Sequence, residues 1–268
     1  MYMYGIPVGE EQRLRCFYSA FFNIIREEVM DYTELKKLMG EQKVEMTAAE
    51  RIKAYNEGKE VDHIPYTLQA PDPAMADIFG FTTSQFAKDF EVKSEVIRRR
   101  KEEFGLDSFN VGLGLRTIGV ALGSKLGVPE HGIDYIEHHV LQDYADFDKL
   151  EVTDPYKNPV LAPILENAKR LKERFPDVSM TTSVAGPIST AIAVRPVEKV
   201  LRDTRKNPEM LHKLLDLTVV CSLKWFEAFY HEFGSVGTNF SDPVTCMDVI
   251  SKKQFDEFSL PYIKKLID

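Results

Sequence analysis

The sequence predicts an α/β protein built around a parallel sheet or barrel. Past residue 60, four strand-like segments each precede a helical segment, an alternation typical of parallel sheets. The four predicted strands are Ile64 to Leu68, Ser108 to Val111, Val178 to Ser183, and Val236 to Phe240. No G-x-G-x-x-G motif follows any of them, and Gly112-Leu-Gly114 lacks the third glycine. This argues against a dinucleotide-binding sheet.

The start of the chain predicts helices that precede the sheet. Apolar residues keep helical spacing from Cys16 to Ile25, and a charged run follows them. Thr47 and Glu50 form a capping box, which predicts a helix that ends near Gly58. We therefore divide the chain into a helical N-terminal extension, residues 1–45, and an α/β domain, residues 46–268. Whether Met1 or Met46 is the functional start stays open.

The remaining helices follow from their apolar spacing and from capping signals. One helix is predicted at about Ser84 to Phe104 and one at about Val160 to Phe175, more than one helix occupies Pro187 to Phe233, and a last one begins at Ser251. Ser251 and Gln254 form the capping box of the last one. Between the second strand and the second of these helices, residues 112–153 are predicted to be an irregular excursion. Trp225, Phe226 and Phe229 are predicted to form a buried helical stripe.

Composition and charge narrow the class of protein. The chain has 268 residues, 44% of them hydrophobic, with a net charge of −8. An acidic surface disfavours nucleic acid or an anionic membrane as the main partner. Cys16, Cys221 and Cys246 include no close pair, so a disulfide framework is not expected. No apolar stretch is long enough for a membrane span or a signal peptide, so we expect a cytoplasmic protein.

The best site candidate is Asp242, which follows the fourth predicted strand. Sites in parallel α/β folds lie at the carboxyl ends of strands, so Asp242 is predicted to be catalytic or substrate-binding. The alternative is an Asx turn beside Pro243. Further candidates for substrate binding lie at or near the ends of the four strands: Gln69, Asn110, Ser183, Gly186, Ser189, Thr190 and Asn239. For the hydroxyl residues among them, ordinary helix capping is the alternative.

The sequence gives little indication of a metal site. Cys246 could be a soft ligand, but no second cysteine or histidine lies at ligand spacing. His138 and His139 are adjacent, so in an extended segment they point to opposite faces and at most one joins a given site. His212 and His231 fall on a long helix and are expected to belong to the scaffold.

An ordered set of motifs resembles the uroporphyrinogen decarboxylase superfamily, which includes corrinoid-dependent methyltransferases. The motifs are Met46 to Arg51, Gly58 to Pro65, Val184 to Pro187, Asp242-Pro243, and Ile250 to Tyr262. Together they cover residues 46–268 in the expected order. The resemblance implies a (β/α)8 barrel of the TIM type with its site at the carboxyl ends of the strands.

Within the superfamily, the resemblance favours a corrinoid-linked methyltransferase over the decarboxylase. A decarboxylase is expected to carry arginines after its first strand and an aspartate after its second. This chain has Gln69-Ala-Pro-Asp72 and Gly112-Leu-Gly114 there, and Arg116 cannot replace an anion. The implied reaction moves a methyl group between a small methyl donor or thiol and cobalamin on a partner corrinoid protein. Uroporphyrinogen decarboxylation stays the alternative.

The resemblance also implies zinc, which would bind a thiol substrate as its thiolate. The expected ligands, a His-x-Cys pair and a later cysteine, do not occur in this chain. Only four of the eight expected βα units are present, so we expect a truncated barrel, or one completed by another chain or in a homodimer. A non-catalytic half-barrel that binds a corrinoid protein, or a part of a split enzyme, is the third alternative. Whether the chain is active alone stays open.

Overall fold

The computed structural model describes residues 45–62, 64, 72–104, 108–130, 133–176, 178–234 and 237–268. It divides into two compact units, one up to Thr67 and one from Leu68 onward. Residues 1–44, positions 65–68 of the first predicted strand, and Gln69 lie outside the described residues. The predictions made for them stay predictions.

The described part of the first unit is organised by one helix and one ion pair. Helix α1, Ala48–Asn56, begins at the predicted capping box, in which Glu50 N donates to Thr47 Oγ1 and Thr47 N to Glu50 Oε2. The buried Arg51 donates from Nε to Asp62 Oδ1 at 2.6 Å. Asp62 Oδ2 also accepts from the backbone N–H groups of Glu45 and Met46. The carboxylate therefore holds the two ends of this segment together.

The second unit contains three parallel strands that follow one another in the sheet. The strands of this unit are β1 Ser108–Asn110, β2 Lys125–Gly127, β3 Tyr135–His138, β4 Ser179–Ala185 and β5 Gly237–Ser241. The parallel sheet has the order β1-β4-β5, with Ser108 opposite Ser179 and Thr181 opposite Gly237. Three of the four predicted strands are thus confirmed within a residue or two. Their carboxyl ends meet at one edge of the sheet, as parallel pairing requires.

The helices differ from the prediction mainly in where they break. They are α2 Asp72–Ile78, α3 Thr83–Lys88, α4 Phe90–Phe104, α5 Thr117–Ala121, α6 Leu161–Arg174, α7 Pro187–Val194, α8 Val197–Lys206, α9 Pro208–Phe233, α10 Lys252–Phe258 and α11 Leu260–Ile267. The prediction of one helix from Ser84 to Phe104 is wrong. Asp89 is extended there, and its Oδ1 accepts from Glu91 N at 2.8 Å at the start of α4. None of the described helices is long and apolar enough to cross a membrane.

The excursion of residues 112–153 is more regular than predicted. It contains α5, the antiparallel pair β2 and β3, and a 3₁₀ helix, Tyr144–Lys149. Each element is six residues or fewer, which is too short to produce a readable period. Tertiary contacts fix them instead. Ser124 Oγ donates to Ala193 O at 2.8 Å, and this fastens the excursion to α7.

Helix α9 contributes buried residues to the hydrophobic core along most of its length. Trp225 and Phe229 are fully buried in the cluster beneath the sheet, which confirms these two residues of the predicted stripe, whereas Phe226 is only partly buried against it. Trp225 Nε1 donates to Thr182 Oγ1 at 2.8 Å, so the one buried indole N–H is satisfied by β4. Farther toward the start of α9, His212 stacks on Phe258 at 4.7 Å and its Nδ1 lies 2.8 Å from the Tyr262 hydroxyl. This contact docks the last two helices on α9.

Candidate active site at the carboxyl edge of the sheet

Two predicted residues, Asn110 and Ser183, meet at the carboxyl edge of the sheet. Asn110 Nδ2 donates to Thr181 Oγ1 at 3.0 Å, and Ser183 Oγ donates to Asn110 Oδ1 at 2.9 Å. Gly112 makes this approach possible, because a Cβ there would lie 2.1 Å from Ser183 Oγ and 2.3 Å from Asn110 Oδ1. A glycine is therefore required at position 112, because any larger residue there would collide with Ser183 and Asn110.

These residues form part of the wall of a cavity of about 750 Å³. Most of the remaining wall is apolar and comes from Phe86, Leu113, Leu115, Leu126, Val128 and Ile133. The charged side chains of the wall are Asp77, Lys93, Arg116 and Asp134. A largely apolar cavity with a few polar groups at the carboxyl ends of parallel strands is the usual form of a ligand site in such folds.

Asp242 lies at the end of β5 but does not line this cavity. Its Oδ1 accepts from Ser189 N at 2.8 Å and from Ser189 Oγ at 2.6 Å, and its Oδ2 accepts from Ile188 N at 3.1 Å. Gly186 permits this contact, since a Cβ there would lie 2.3 Å from the Cβ of Asp242. The carboxylate therefore caps the N-terminus of α7 from the neighbouring βα unit.

The electrostatics of Asp242 are set by two opposed effects. Burial raises the pKa of the carboxyl above its ordinary value, and the hydrogen bonds from Ser189 and Ile188 oppose that rise. The predicted Asx turn is not formed by the side chain. Instead the backbone oxygen of Asp242 accepts from Thr245 N at 3.1 Å and from Thr245 Oγ1 at 2.7 Å. A role of Asp242 in a reaction stays a prediction.

A second, smaller cavity of about 270 Å³ lies beside this cap. Ser189, Pro243, His139 and Glu198 line it, and Leu115 and Arg116 line both cavities. Burial lowers the pKa of His139, whereas His138 lies outside both walls. This agrees with the expectation that at most one of the adjacent histidines faces a given site.

The other predicted site residues are placed less centrally. Thr190 is buried, and its Oγ1 donates to Ala185 O at 3.2 Å, a bond within the turn that begins α7. Asn239 is exposed on β5 and lines neither cavity. Gln69 lies outside the described residues. The structure thus brings together Asn110 with Ser183, and Asp242 with Gly186 and Ser189.

Comparison with known proteins identifies the family. A family model described as uroporphyrinogen decarboxylase (URO-D) matches residues 47–268, which is most of the chain. The chain belongs to the uroporphyrinogen decarboxylase family.

Two curated relatives are both named methylcobamide:CoM methyltransferase MtaA. One, from Methanosarcina barkeri (strain Fusaro / DSM 804), is 22% identical over 230 residues, and the other, from Methanosarcina barkeri, is 22% identical over 225 residues. Each match covers 82% of this chain and 66% of the relative, so the chain spans just under two thirds of their length. Within this family, the chain is therefore similar to proteins named as methyltransferases.

A solved structure with a similar fold is a methyltransferase from Methanosarcina mazei. It superposes with a TM-score of 0.69 at 21% identity, over 83% of this chain and 66% of that one. At this identity the likeness concerns the fold. It supports an α/β fold with a parallel sheet of the TIM-barrel type, as the sequence predicted.

In this member of the uroporphyrinogen decarboxylase family, the described residues do not fit a zinc site. No three His, Cys, Asp or Glu side chains of the described ranges are grouped in a way that could hold a metal ion. Cys246 is exposed and Cys221 is buried in the core. We therefore assign no step of a reaction to a metal bound by these residues.

The sequence did not single out the ion pair of Arg116 with Asp134 as part of the site. Arg116 Nη1 donates to Asp134 Oδ1 at 2.9 Å, across 18 positions of the chain. The two residues flank the β2 strand, and only the folded excursion brings them together. The one sequence signal was the Gly112-Leu-Gly114 turn, after which Arg116 enters the wall of the cavity.

Proposed function

We propose that this chain takes part in corrinoid-linked methyl transfer, in which a methyl group moves between a small substrate or thiol and cobalamin on a partner corrinoid protein. The observation that carries the proposal is the apolar cavity at the carboxyl edge of the sheet, in a family member related to methylcobamide:CoM methyltransferases. Methyl transfer is a displacement that depends on alignment of the reactants and on exclusion of water. An apolar wall suits both requirements.

The charges of this cavity support methyl transfer over decarboxylation of a porphyrinogen. A substrate with many carboxylates needs several cationic side chains that can form paired hydrogen bonds. The described wall has Lys93 and Arg116, and Arg116 is already paired with Asp134. Gln69, at a position where the decarboxylase resemblance implies arginine, lies outside the described residues.

Asp242 is proposed to act by holding the site together. Its carboxylate joins the end of β5 to the start of α7, and Ser189 of that helix lines the smaller cavity. Zinc, implied by the resemblance, is given no part here, because the described residues do not group as its ligands. Completion of the site by another chain, or by a second copy of this one, remains part of the proposal to be tested.

The test is a spectrophotometric assay of the purified chain with methylcobalamin and 2-mercaptoethanesulfonate under anaerobic conditions. We expect loss of the methylcobalamin absorbance that depends on both protein and thiol, and methylated thiol as the product. Ser183→Ala is expected to slow the reaction, because it removes the hydroxyl that donates to Asn110. Ser94→Ala is the matched control, because it removes a buried hydroxyl that accepts from Arg174 away from the cavity.

The same preparation separates the alternatives. Cobalamin difference spectra that show binding without methyl transfer would support the non-catalytic alternative. Release of carbon dioxide from uroporphyrinogen would establish the decarboxylase. Absence of both binding and turnover would refute the proposal for this chain.

A further inference from the structure

A further cavity, of about 600 Å³, lies between the second half of α9 and the segment Val152 to Tyr156. We call it the α9 cavity. None of the residues that line it lines the larger or the smaller cavity of the candidate active site. Two contacts fasten the segment to α9: Thr153 N donates to Cys221 Sγ at 3.5 Å, and the Tyr156 hydroxyl lies 3.1 Å from His231 Nδ1. The course of the segment along the helix is therefore fixed at both ends of the cavity.

The hydroxyl of Thr153 lacks a hydrogen-bond partner. Thr153 lines the α9 cavity and is only 5% exposed, and its Oγ1 is paired with no group of the described residues. A buried hydroxyl without a partner opposes folding, so such groups are rare in native proteins. A water, an ion or a ligand can supply the missing partner. The unpaired hydroxyl is thus the first indication that this cavity takes a ligand.

Charges of both signs lie on the wall of the α9 cavity. Lys224 Nζ donates to Glu227 Oε2 at 2.7 Å, and the two side chains are 49% and 64% exposed. An exposed pair of this kind contributes little to stability, so a ligand can take over its partners at low cost. Asp154 adds a second carboxylate, and the hydrogen bond from Tyr156 N holds its pKa below the ordinary value. The wall therefore offers one ammonium and two carboxylates.

The rest of the wall is apolar. Val152, Pro155, Ala228 and the ring of Tyr156 supply this surface, and Val152 and Tyr156 are each 46% exposed. A ligand with an apolar group would remove part of this surface from water. An anion alone would face two carboxylates, and a cation alone would face the ammonium. A ligand with one charge of each sign avoids both conflicts.

We propose that the α9 cavity binds a small zwitterion of the class of the free α-amino acids. Lys224 binds the carboxylate of the ligand, and Glu227 and Asp154 bind its ammonium, as charge-assisted hydrogen bonds. Thr153 Oγ1 gains its missing partner from the ligand, directly or through one water. The side chain of the ligand lies against the apolar wall. This site is separate from the proposed site of methyl transfer and does not depend on it.

The test is a calorimetric titration of the full chain with glycine, L-leucine and L-phenylalanine, without cobalamin or thiol. We expect at least one of them to bind saturably below about 10 mM. The amino acid that binds most tightly is then compared with the analogues that lack its carboxylate or its ammonium. For leucine these are 3-methylbutylamine and 4-methylpentanoate. Each analogue is expected to bind at least about tenfold more weakly, the effect of one charge-assisted hydrogen bond.

Charge variants assign the binding to this wall. Lys224→Met and Glu227→Gln are each expected to weaken the amino acid by at least about tenfold. Lys252→Met and Asp256→Asn are the matched controls, because they remove the charges of another exposed ion pair, on α10. The controls are expected to leave the affinity unchanged. Circular dichroism checks that each variant is folded.

Thr153→Val separates a ligand-binding hydroxyl from a structural one. The variant is expected to weaken binding by about threefold to tenfold, the effect of one neutral hydrogen bond. Its midpoint of urea denaturation should not fall, because the lost hydroxyl has no partner in the described part of the chain. A lower midpoint with unchanged affinity would show that the hydroxyl serves the fold and not a ligand.

Three further outcomes would overturn the proposal. They are the lack of saturable binding of all three amino acids up to about 10 mM, equal affinity for the amino acid and its single-charge analogues, and equal effects of the wall variants and the α10 controls. Because the titration contains neither cobalamin nor thiol, its result is independent of the assay for methyl transfer.

Discussion

At the scale of single residues, Asp242 shows how burial and hydrogen bonding compete at one carboxylate. Burial disfavours its charged form and raises its pKa above the ordinary value of 3.8, while donors from Ser189 and Ile188 favour the charge. Because the folded pKa is the higher one, the native state binds more protons than the unfolded state between the two values. The stability contributed by this group is therefore lost as pH rises from about 3.8 through the folded pKa.

The raised pKa of Asp242 leads to a prediction for Asp242→Asn. At pH 7 the variant is expected to be less stable by about 1–2 kcal/mol, because the amide Nδ2 cannot accept the N–H of Ile188. The advantage of the wild type should be larger at pH 4 than at pH 7. Urea denaturation across this range, followed by fluorescence of Trp225, measures both effects. Asp256→Asn, on the exposed face of α10, is the control, and its free energy of unfolding is expected to stay within about 0.5 kcal/mol of the wild type. If the advantage of the wild type over Asp242→Asn grew with pH, the raised pKa of Asp242 would be contradicted.

Gly112 gives a second prediction at this scale. A Cβ there would collide with Ser183 Oγ and Asn110 Oδ1, so Gly112→Ala is expected to destabilise the protein by about 1–3 kcal/mol. Removal of the serine hydroxyl relieves one of the two collisions. Ser183→Ala should therefore cost less in the Gly112→Ala background than in the wild type. A double-mutant cycle by urea denaturation measures this coupling, and strictly additive costs would show that the two side chains do not share this space.

At the scale of elements, the sequence predicted those features that local signals determine. The capping boxes at Thr47 and Ser251 begin helices as expected. A third box, Thr82 with Gln85, was equally readable and begins α3, yet the apolar pattern alone suggested one longer helix. The break at Asp89 could have been recognised from that box, because six residues of helix then precede an aspartate that caps the next one.

In the candidate site, too, the sequence predicted what depends on single strands and missed the contacts that form only in the tertiary fold. Asn110 and Ser183 could be placed at the same edge of the sheet from the sequence, because the carboxyl ends of parallel strands lie at one edge, but their hydrogen bond could not. Arg116 could not be placed, since its partner Asp134 reaches it only after β2 has folded back against β3. The tertiary capping of α7 by Asp242 was equally hidden, because donor and acceptor lie 53 positions apart.

The junction between α7 and α8 supplies a prediction at the scale of elements. Arg195 ends α7, and its Nε donates to Asp203 Oδ2 of α8 at 2.7 Å, with both side chains almost fully buried. Its Nη1 also donates to Gln142 O at 2.9 Å, which ties both helices to the excursion. Because the pair is buried, removal of one partner leaves the other charge without a counter-ion and without water to solvate it, which destabilises the fold.

We expect Asp203→Asn to lower the free energy of unfolding by about 3–5 kcal/mol, since it leaves the guanidinium of Arg195 buried without its anion. The exposed pair of Asp146 and Lys149 offers the control. Asp146→Asn should cost no more than about 1 kcal/mol. Chemical denaturation of the two variants measures the difference, and equal costs would mean that the buried pair does not stabilise the junction.

At the scale of the whole unit from Leu68 onward, α9 joins two hydrophobic clusters. Its first half, with Leu211, Leu214 and Leu215, packs against the last two helices. Its second half, with Trp225 and Phe229, packs against the sheet. Because one continuous helix of 26 residues contributes to both clusters, neither can lose its packing without disturbing the helix on which the other depends.

This continuity predicts cooperative unfolding of the two clusters. Leu215→Ala removes a fully buried side chain from the first cluster and should cost about 2–5 kcal/mol. The single tryptophan, Trp225, belongs to the second cluster and reports on it by fluorescence. We expect the variant to shift the Trp225 transition in urea by the same amount as the helical signal at 222 nm, as in the matched variant Leu165→Ala of the second cluster. If Leu215→Ala shifted the helical signal and left the Trp225 transition in place, the clusters would unfold separately, and α9 would not transmit stability from the last two helices to the sheet that carries the site.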